Sequence, residues 1–215
     1  MYIYYPSCNY QKYFPRTAAR LRAYLETQPD VRMAGCCHVT RDMPREGDTI
    51  VTVCMTCMHG LEEMRPEIPQ ISLPAFLLTR RDFPWPDLQK EAITLQDCFR
   101  ARNRHELQYA ARECLHRMNA ICVEMPGNRD DETYDGTFLF HPPSPQNVRE
   151  APRYFGTFLP SHLTLLPPEK WNSRLRAHAA LYTTRRVACY CNVCVIGARK
   201  GGADAWHLTE LIWGS

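Results

Sequence analysis

The chain repeats itself. CMTCMHG at 54–60 returns as CNVCVIG at 191–197, and IPQISLPAFLL at 68–78 returns as AWHLTELIW at 205–213. The offset of 137 residues from Cys54 to Cys191 is the length of a domain, and marks a duplication rather than a solenoid of small repeats. Whatever forms must therefore form twice, with a Cys-x-x-Cys pair at the same point of each half.

Each half alternates short apolar runs with helical periodicity. In the first, Tyr2–Tyr5, Val31–Ala34, Thr49–Val53 and Pro69–Leu73 read as strands. Phe14, Ala18, Leu21 and Leu25 recur at helical spacing up to Glu26, a helix follows Cys54 to about Glu63, and Pro74–Leu78 is a helical turn. Arg41–Asp48, with Pro44 and Gly47, is loop-like. In the second half the strands are Ala92–Gln96, Ile121–Met125 and Arg186–Cys189, and the helices Glu106–Met118 and Glu169–Tyr182. Arg81–Lys90 carries two prolines and is the expected linker, so the halves are 1–85 and 86–215. The alternation predicts an α/β fold of two pseudo-symmetric halves, each a small, mostly parallel sheet flanked by helices. Functional groups should then gather beyond the carboxyl ends of the strands, and every cysteine motif follows a predicted strand. The stretch 137–168 has seven prolines and no clear period. It breaks the symmetry as an insertion, either a functional or docking loop or a variable excursion.

Eleven cysteines in 215 residues call for an account of their redox state. MYIYYPSCNY has neither a charged n-region nor an apolar h-region, and no apolar stretch approaches the ~20 residues that span a bilayer. A reducing, cytoplasmic setting is expected, with thiols serving as ligands rather than disulfides. A formal charge of +3 without a basic run gives no footprint for nucleic acid. No phosphate cradle or dinucleotide fingerprint is present, so flavin or nicotinamide would belong to a partner. The first half offers Cys8, Cys36, Cys37, Cys54 and Cys57. Five thiols exceed what tetrahedral zinc takes, and two adjacent residues are awkward ligands for one small ion. A cluster with several irons spreads its ligand positions and can use all five.

The order Cys … Gly-Cys-Cys … Cys-x-x-Cys, given twice, resembles the cysteine-rich CCG domains of heterodisulfide reductase. It is also similar to related iron–sulfur subunits of lactate, glycolate and fumarate oxidoreductases. TIVTVCMTC, the GCC triplet, and QDCFRARN with the downstream VEMPGNRDD carry the likeness most specifically, and it covers nearly the whole chain apart from the proline-rich insertion. The resemblance implies that a complete five-cysteine motif holds a non-cubane 4Fe–4S cluster. It also implies an oxidoreductase subunit of a cytoplasmic complex, with flavin or iron–sulfur proteins as partners. Carried over, the first motif is complete at Cys8, Cys36, Cys37, Cys54 and Cys57. It departs in having sixteen residues between Cys37 and Cys54, where the family has a longer link containing a helix, and Met55 where proline is common. In the second motif Cys98, Cys191 and Cys194 are in place, but Tyr134-Asp135-Gly136 stands where the family has Cys-Cys-Gly. Three thiolates cannot hold the five-ligand form. A relay of electrons is therefore expected rather than complete disulfide reduction, for which the family uses two clusters.

Cys189 lies two residues before Cys191, so a continued strand would turn both to one face. Cys98, Cys189, Cys191 and Cys194 are thus a candidate Cys₄ site for zinc or a conventional second cluster, with Asp135 as a harder substitute ligand. Cys114 and Cys122 fall in helix and strand patterns and read as small buried hydrophobes. His38 could donate to a cluster or carry a proton, whereas His59 and His207 read as ordinary loop or core histidines. Two other readings remain open. One is a non-redox interaction protein, with Cys54, Cys57, Cys191 and Cys194 clamping one structural zinc. The other is a thiol–disulfide switch at Cys36–Cys37, whose ring would be strained.

Overall fold

The β-branched and aromatic runs become strands and the periodic segments helices in the computed structural model, which describes residues 1–38 and 44–214. In chain order the elements begin with β1 (Tyr2–Tyr5), α1 (Cys8–Tyr13), α2 (Pro15–Glu26), β2 (Val31–Met33), β3 (Thr49–Thr52), α3 (Met55–Met64), β4 (Gln70–Ser72) and α4 (Leu73–Leu78). Then come β5 (Ala92–Gln96), α5 (His105–Arg117), β6 (Ile121–Glu124), α6 (Pro145–Glu150), α7 (Leu159–His162) and α8 (Pro168–Ala179). The chain finishes with β7 (Arg186–Cys189), α9 (Asn192–Lys200), β8 (Asp204–His207) and α10 (Leu208–Trp213). Of the loop expected over Arg41–Asp48, residues 41–43 lie outside the described residues. At its end Asp48 accepts the backbone N–H of Arg45 at 2.8 Å.

Two compact units result: Met1–Phe76 with Pro143–Leu163, and Leu77–Pro142 with Thr164–Gly214. Each holds a four-stranded sheet with every neighbouring pair parallel, in the orders β2-β1-β3-β4 and β6-β5-β7-β8. The architecture is α/β with two similar halves, as the sequence pattern requires. In the first sheet Ile3, Tyr4, Tyr5, Ile50 and Val51 are all buried, as befits strands covered on both faces. Ile3, Tyr5 and Ile50 pack with Leu61 of α3 and Ile68. The second sheet repeats this with Ile93, Leu95, Val187, Ala188 and Ala205.

Three expectations need correction. The segment Arg81–Lys90 is not a free linker. Leu88 and Lys90 donate backbone N–H groups to Met118 and Asn119, each at 2.7 Å, which ties it to the second unit, and the change of unit falls at Phe76/Leu77 instead. The insertion at 137–168 is largely helical: a 3₁₀ turn Gly136–Phe140, α6, a π-helical turn Pro152–Phe158, and α7. Its prolines do not break these helices, because Pro145, Pro152, Pro160 and Pro168 sit in first turns, where a missing N–H removes no helical bond. Residues 143–163 of that insertion also belong to the first unit rather than the second. Glu63 holds them there, accepting the N–H groups of Arg153 (2.7 Å) and Tyr154 (3.0 Å).

The repeated glycines Gly60 and Gly197 differ in what surrounds them. A Cβ on Gly197 would fall 2.5 Å from the Tyr134 hydroxyl and 2.8 Å from Gly136 Cα, whereas one on Gly60 would meet only Met64 Cε at 3.8 Å. Gly136 itself has φ +52° and lies against the backbone of Val193. This close approach of residues 134–136 to α9 needs both glycines. Gly197→Ala should therefore destabilise by about 1–3 kcal/mol through overpacking. Gly60→Ala should be neutral or stabilise by up to about 1 kcal/mol through helix propensity. Urea unfolding midpoints of the two variants check this, and equal shifts would contradict it.

Candidate functional site

With strand order 2-1-3-4, the chain leaves β1 toward one side and returns to β3 on the other, so a crevice opens beyond the carboxyl ends of these strands. In the first unit the cysteine motifs lie there. Ser7, at φ +58°, turns the chain out of β1, and its side chain accepts the Tyr10 N–H at 3.3 Å. A helix the sequence did not announce, α1, thus begins at Cys8. Cys36 and Cys37 follow β2. Cys54 ends the extended run after β3 as the N-cap of α3, and Cys57 lies in that helix's first turn.

The first unit's sulfurs form two close pairs past the strand ends. Cys8 Sγ is 3.1 Å from Cys36 Sγ, and Cys37 Sγ is 3.6 Å from Cys57 Sγ. Cys54 is within electrostatic reach of Cys37 and Cys57, and Cys37 within reach of Cys8. The set runs from solvent inward, with Cys8 exposed, Cys36 and Cys37 half-buried, and Cys54 and Cys57 buried. All eleven cysteines of the chain are free thiols. The hydrogen bond to Cys36, with burial, raises the Cys8 thiol to about 11. Hydrogen bonding with Cys37 and Cys54, and burial, push the Cys57 thiol well up, while the hydrogen bond with Cys57 holds the Cys37 thiol below its ordinary value. Thiols of this kind give up their protons when a metal takes their place. His38 Nδ1 is in hydrogen-bond contact with a carboxylate oxygen of Glu150 in α6, and Tyr154 stacks on His59 with ring centroids 3.6 Å apart.

The second unit fills the equivalent place differently. Cys98 follows β5, Asp135 follows β6, and Cys191 caps α9 after β7 with Cys194 in its first turn. The ligand atoms of Cys98, Asp135, Cys191 and Cys194 all lie within 4.8 Å of one another, and all four residues are buried. Among the described residues this is the one group of three or more such atoms that close, and the first unit's cysteines do not form one. The second group could hold a metal ion. Cys189, expected as the fourth ligand, is buried at the end of β7 but does not belong to the group. Asp135 takes that place, because Gly136 and Gly197 let its loop close on α9.

Arg100, which sequence reasoning passed over, completes this site. Its Nε donates to Asp135 Oδ1 at 2.8 Å and its Nη2 to Cys191 Sγ at 3.2 Å. The guanidinium lies 4.5 Å from the centroid of the Phe138 ring. Cys98 Sγ donates to the same Asp135 oxygen at 3.3 Å. Burial raises the Asp135 carboxyl to about 6 against the pull of Arg100, and pushes the Cys98 and Cys194 thiols well up. Burial also opposes ionisation of Cys191, but the Cys194 and Cys98 thiols and Arg100 outweigh it and hold Cys191 well below its ordinary value. Behind Cys98, the buried Asp97 accepts from Arg112 Nη2 (2.6 Å), Tyr190 Oη (2.8 Å) and the Arg129 N–H (2.9 Å). The sequence signal for Asp97, Cys98 and Arg100 is the polar run QDCFRARN just after a strand, where solvated loop residues would also fit.

Cys114 of α5 is buried and Cys122 of β6 half-buried, and neither belongs to the second unit's metal-capable group. His207 is a helix cap: its Nδ1 accepts the Thr209 N–H at 3.3 Å, and Glu210 accepts the His207 N–H at 2.7 Å. No helix among the described residues is long and apolar enough to cross a membrane.

His178 bears on pH. Its Nε2 donates to Gln96 Oε1 at 2.7 Å, its ring stacks on Tyr134, and burial lowers it to about 4. A free histidine protonates near 6.5. As pH falls from about 6.5 to 4 the unfolded chain gains this proton and the folded chain does not, so stability is lost across that window. His178→Gln should lose less stability between pH 7 and pH 5 than the parent chain, as read by urea midpoints at both values. An undiminished drop would contradict the assignment. The chain matches no protein-family model, no curated protein and no solved structure.

Proposed function

We propose that this chain is an iron–sulfur electron-transfer subunit of the kind that carries the CCG domains in heterodisulfide reductase. In this reading one non-cubane 4Fe–4S cluster is held in the first unit by Cys8, Cys36, Cys37, Cys54 and Cys57. Flavin or iron–sulfur proteins of a cytoplasmic complex would be its redox partners. The observation that carries the reading is two close sulfur pairs past the strand ends, Cys8 with Cys36 at 3.1 Å and Cys37 with Cys57 at 3.6 Å, with Cys54 in electrostatic reach of the second pair; five free thiols are more than one tetrahedral ion takes.

The residues suit such a group. A cluster with bridging sulfides is anionic, and Cys54 caps the N-terminal end of α3, where unpaired N–H groups and the helix dipole favour negative charge. Buried Cys54 and Cys57 anchor the inner side and keep water away, while exposed Cys8 leaves the outer side open to a partner. When bound, such a cluster exchanges single electrons, with its potential set by hydrogen bonds to sulfur and by solvent access. His38, hydrogen-bonded to Glu150, ties the Cys36–Cys37 turn to α6. The relay is favoured over full disulfide reduction because the second unit lacks a five-thiol set. The zinc-clamp reading has less support, since each Cys-x-x-Cys finds partners in its own unit: Cys57 with Cys37, and Cys191 and Cys194 with Cys98 and Asp135.

Anaerobic purification followed by iron and sulfide analysis should give about four of each per chain, with a paramagnetic signal in one oxidation state. Cys36→Ser or Cys54→Ser should abolish that signal and Cys114→Ser should leave it. Loss in all three variants, or an absence of sulfide, would overturn the proposal.

A further inference from the structure

We propose that the second unit binds a single zinc-type divalent cation through Cys98, Asp135, Cys191 and Cys194, with Arg100 as a charge-balancing positioning residue. This goes beyond the reading of the first unit and does not depend on it. Spacing is the first support. Four donors within 4.8 Å of one another need to contract by only about 1 Å to reach the ~3.5–3.8 Å edges of a tetrahedron with Zn–S bonds near 2.3 Å. A cluster of several irons separates its ligands more widely than that. The donor set is the second. Three sulfurs and one carboxylate oxygen suit zinc, which takes both, whereas the harder oxygen suits iron–sulfur coordination poorly.

The third support is a polar atom with nothing to bind. Asp135 is fully buried and its Oδ1 is engaged by Arg100 and Cys98, but its Oδ2 has no hydrogen-bond partner. Buried carboxylate oxygens are rarely left so, and coordination of an ion would satisfy this one. Charge is the fourth. Three thiolates and a carboxylate against a dication and the Arg100 guanidinium leave one net negative charge. Arg100 touches a sulfur and the carboxylate of the set at once, as outer-shell partners of metal ligands do. Binding is a ligand exchange without redox change: the cation sheds water, and the thiols that become ligands release their protons to solvent.

The test uses the full chain carrying Cys54→Ser and Cys57→Ser, which disables the first set, with circular dichroism to confirm folding. Cys36→Ser with Cys37→Ser serves as the background if the first pair does not fold. After chelator treatment the protein is titrated anaerobically with Co²⁺ and then Zn²⁺. The expected result is one Co²⁺ per chain, with tetrahedral and thiolate charge-transfer absorption that one equivalent of Zn²⁺ removes. Adding Cys191→Ser should weaken uptake by at least about 100-fold. Asp135→Ala and Arg100→Gln should each weaken it by about tenfold, with a shifted cobalt spectrum in the first and an unshifted one in the second. A folded chain that takes up neither metal, or a Cys191→Ser variant that binds as well as its parent, would overturn the proposal. So would iron with sulfide retained in the starting background.

Discussion

A parallel sheet must carry the chain back to the starting edge between each pair of strands, so all its strands end on the same side. That constraint gives this protein its chemistry. Thr49–Thr52 aligns with Tyr2–Tyr5 residue for residue, and Tyr4 stands level with Met33. Residues just past the strand ends are thereby brought together, although dozens of positions separate them in sequence. Cys8, the Cys36–Cys37 pair and Cys54 each follow a different strand, so the sheet brings these distant positions to its one end.

The same scaffold then carries different contents in its two copies. In the first, sulfur occupies every position and the set grades from a buried floor to an exposed rim. In the second, a carboxylate and a guanidinium enter. Asp135 stands beside Cys98, Cys191 and Cys194, and Arg100 bridges acid to sulfur inside the unit. The exchange changes the charge the site can tolerate. Two small pieces of backbone freedom permit it. Gly136 adopts a conformation that disfavours a side chain, and Gly197 leaves room for Tyr134 where its counterpart Gly60 faces little.

The strands, their order along the chain and the cysteines at their ends were legible because local signals carry them: β-branched runs, helical spacing, and the recurrence of a seven-residue motif. Structure made by distant partners was less legible. Nothing near residues 143–163 announces that Glu63 will accept their backbone N–H groups, or that Glu150 will pair with His38. Their prolines suggested irregular chain, because a proline in a helix's first turn looks in sequence like one in a loop. Cys189 looked like a ligand by its two-residue offset from Cys191. The chain turns from strand to helix at that point, so the offset no longer sets a common face. Asp135 was visible only as a gap in a pattern, since its role depends on how closely its loop approaches α9.

X-ray absorption at the iron edge of the anaerobically purified chain tests the central claim most directly. The account predicts a first coordination shell of sulfur alone, with an iron–iron scattering vector behind it. That vector should vanish with loss of the half-buried Cys36 and Cys37. A shell containing nitrogen or oxygen as the main scatterer, or iron without an iron neighbour, would contradict it.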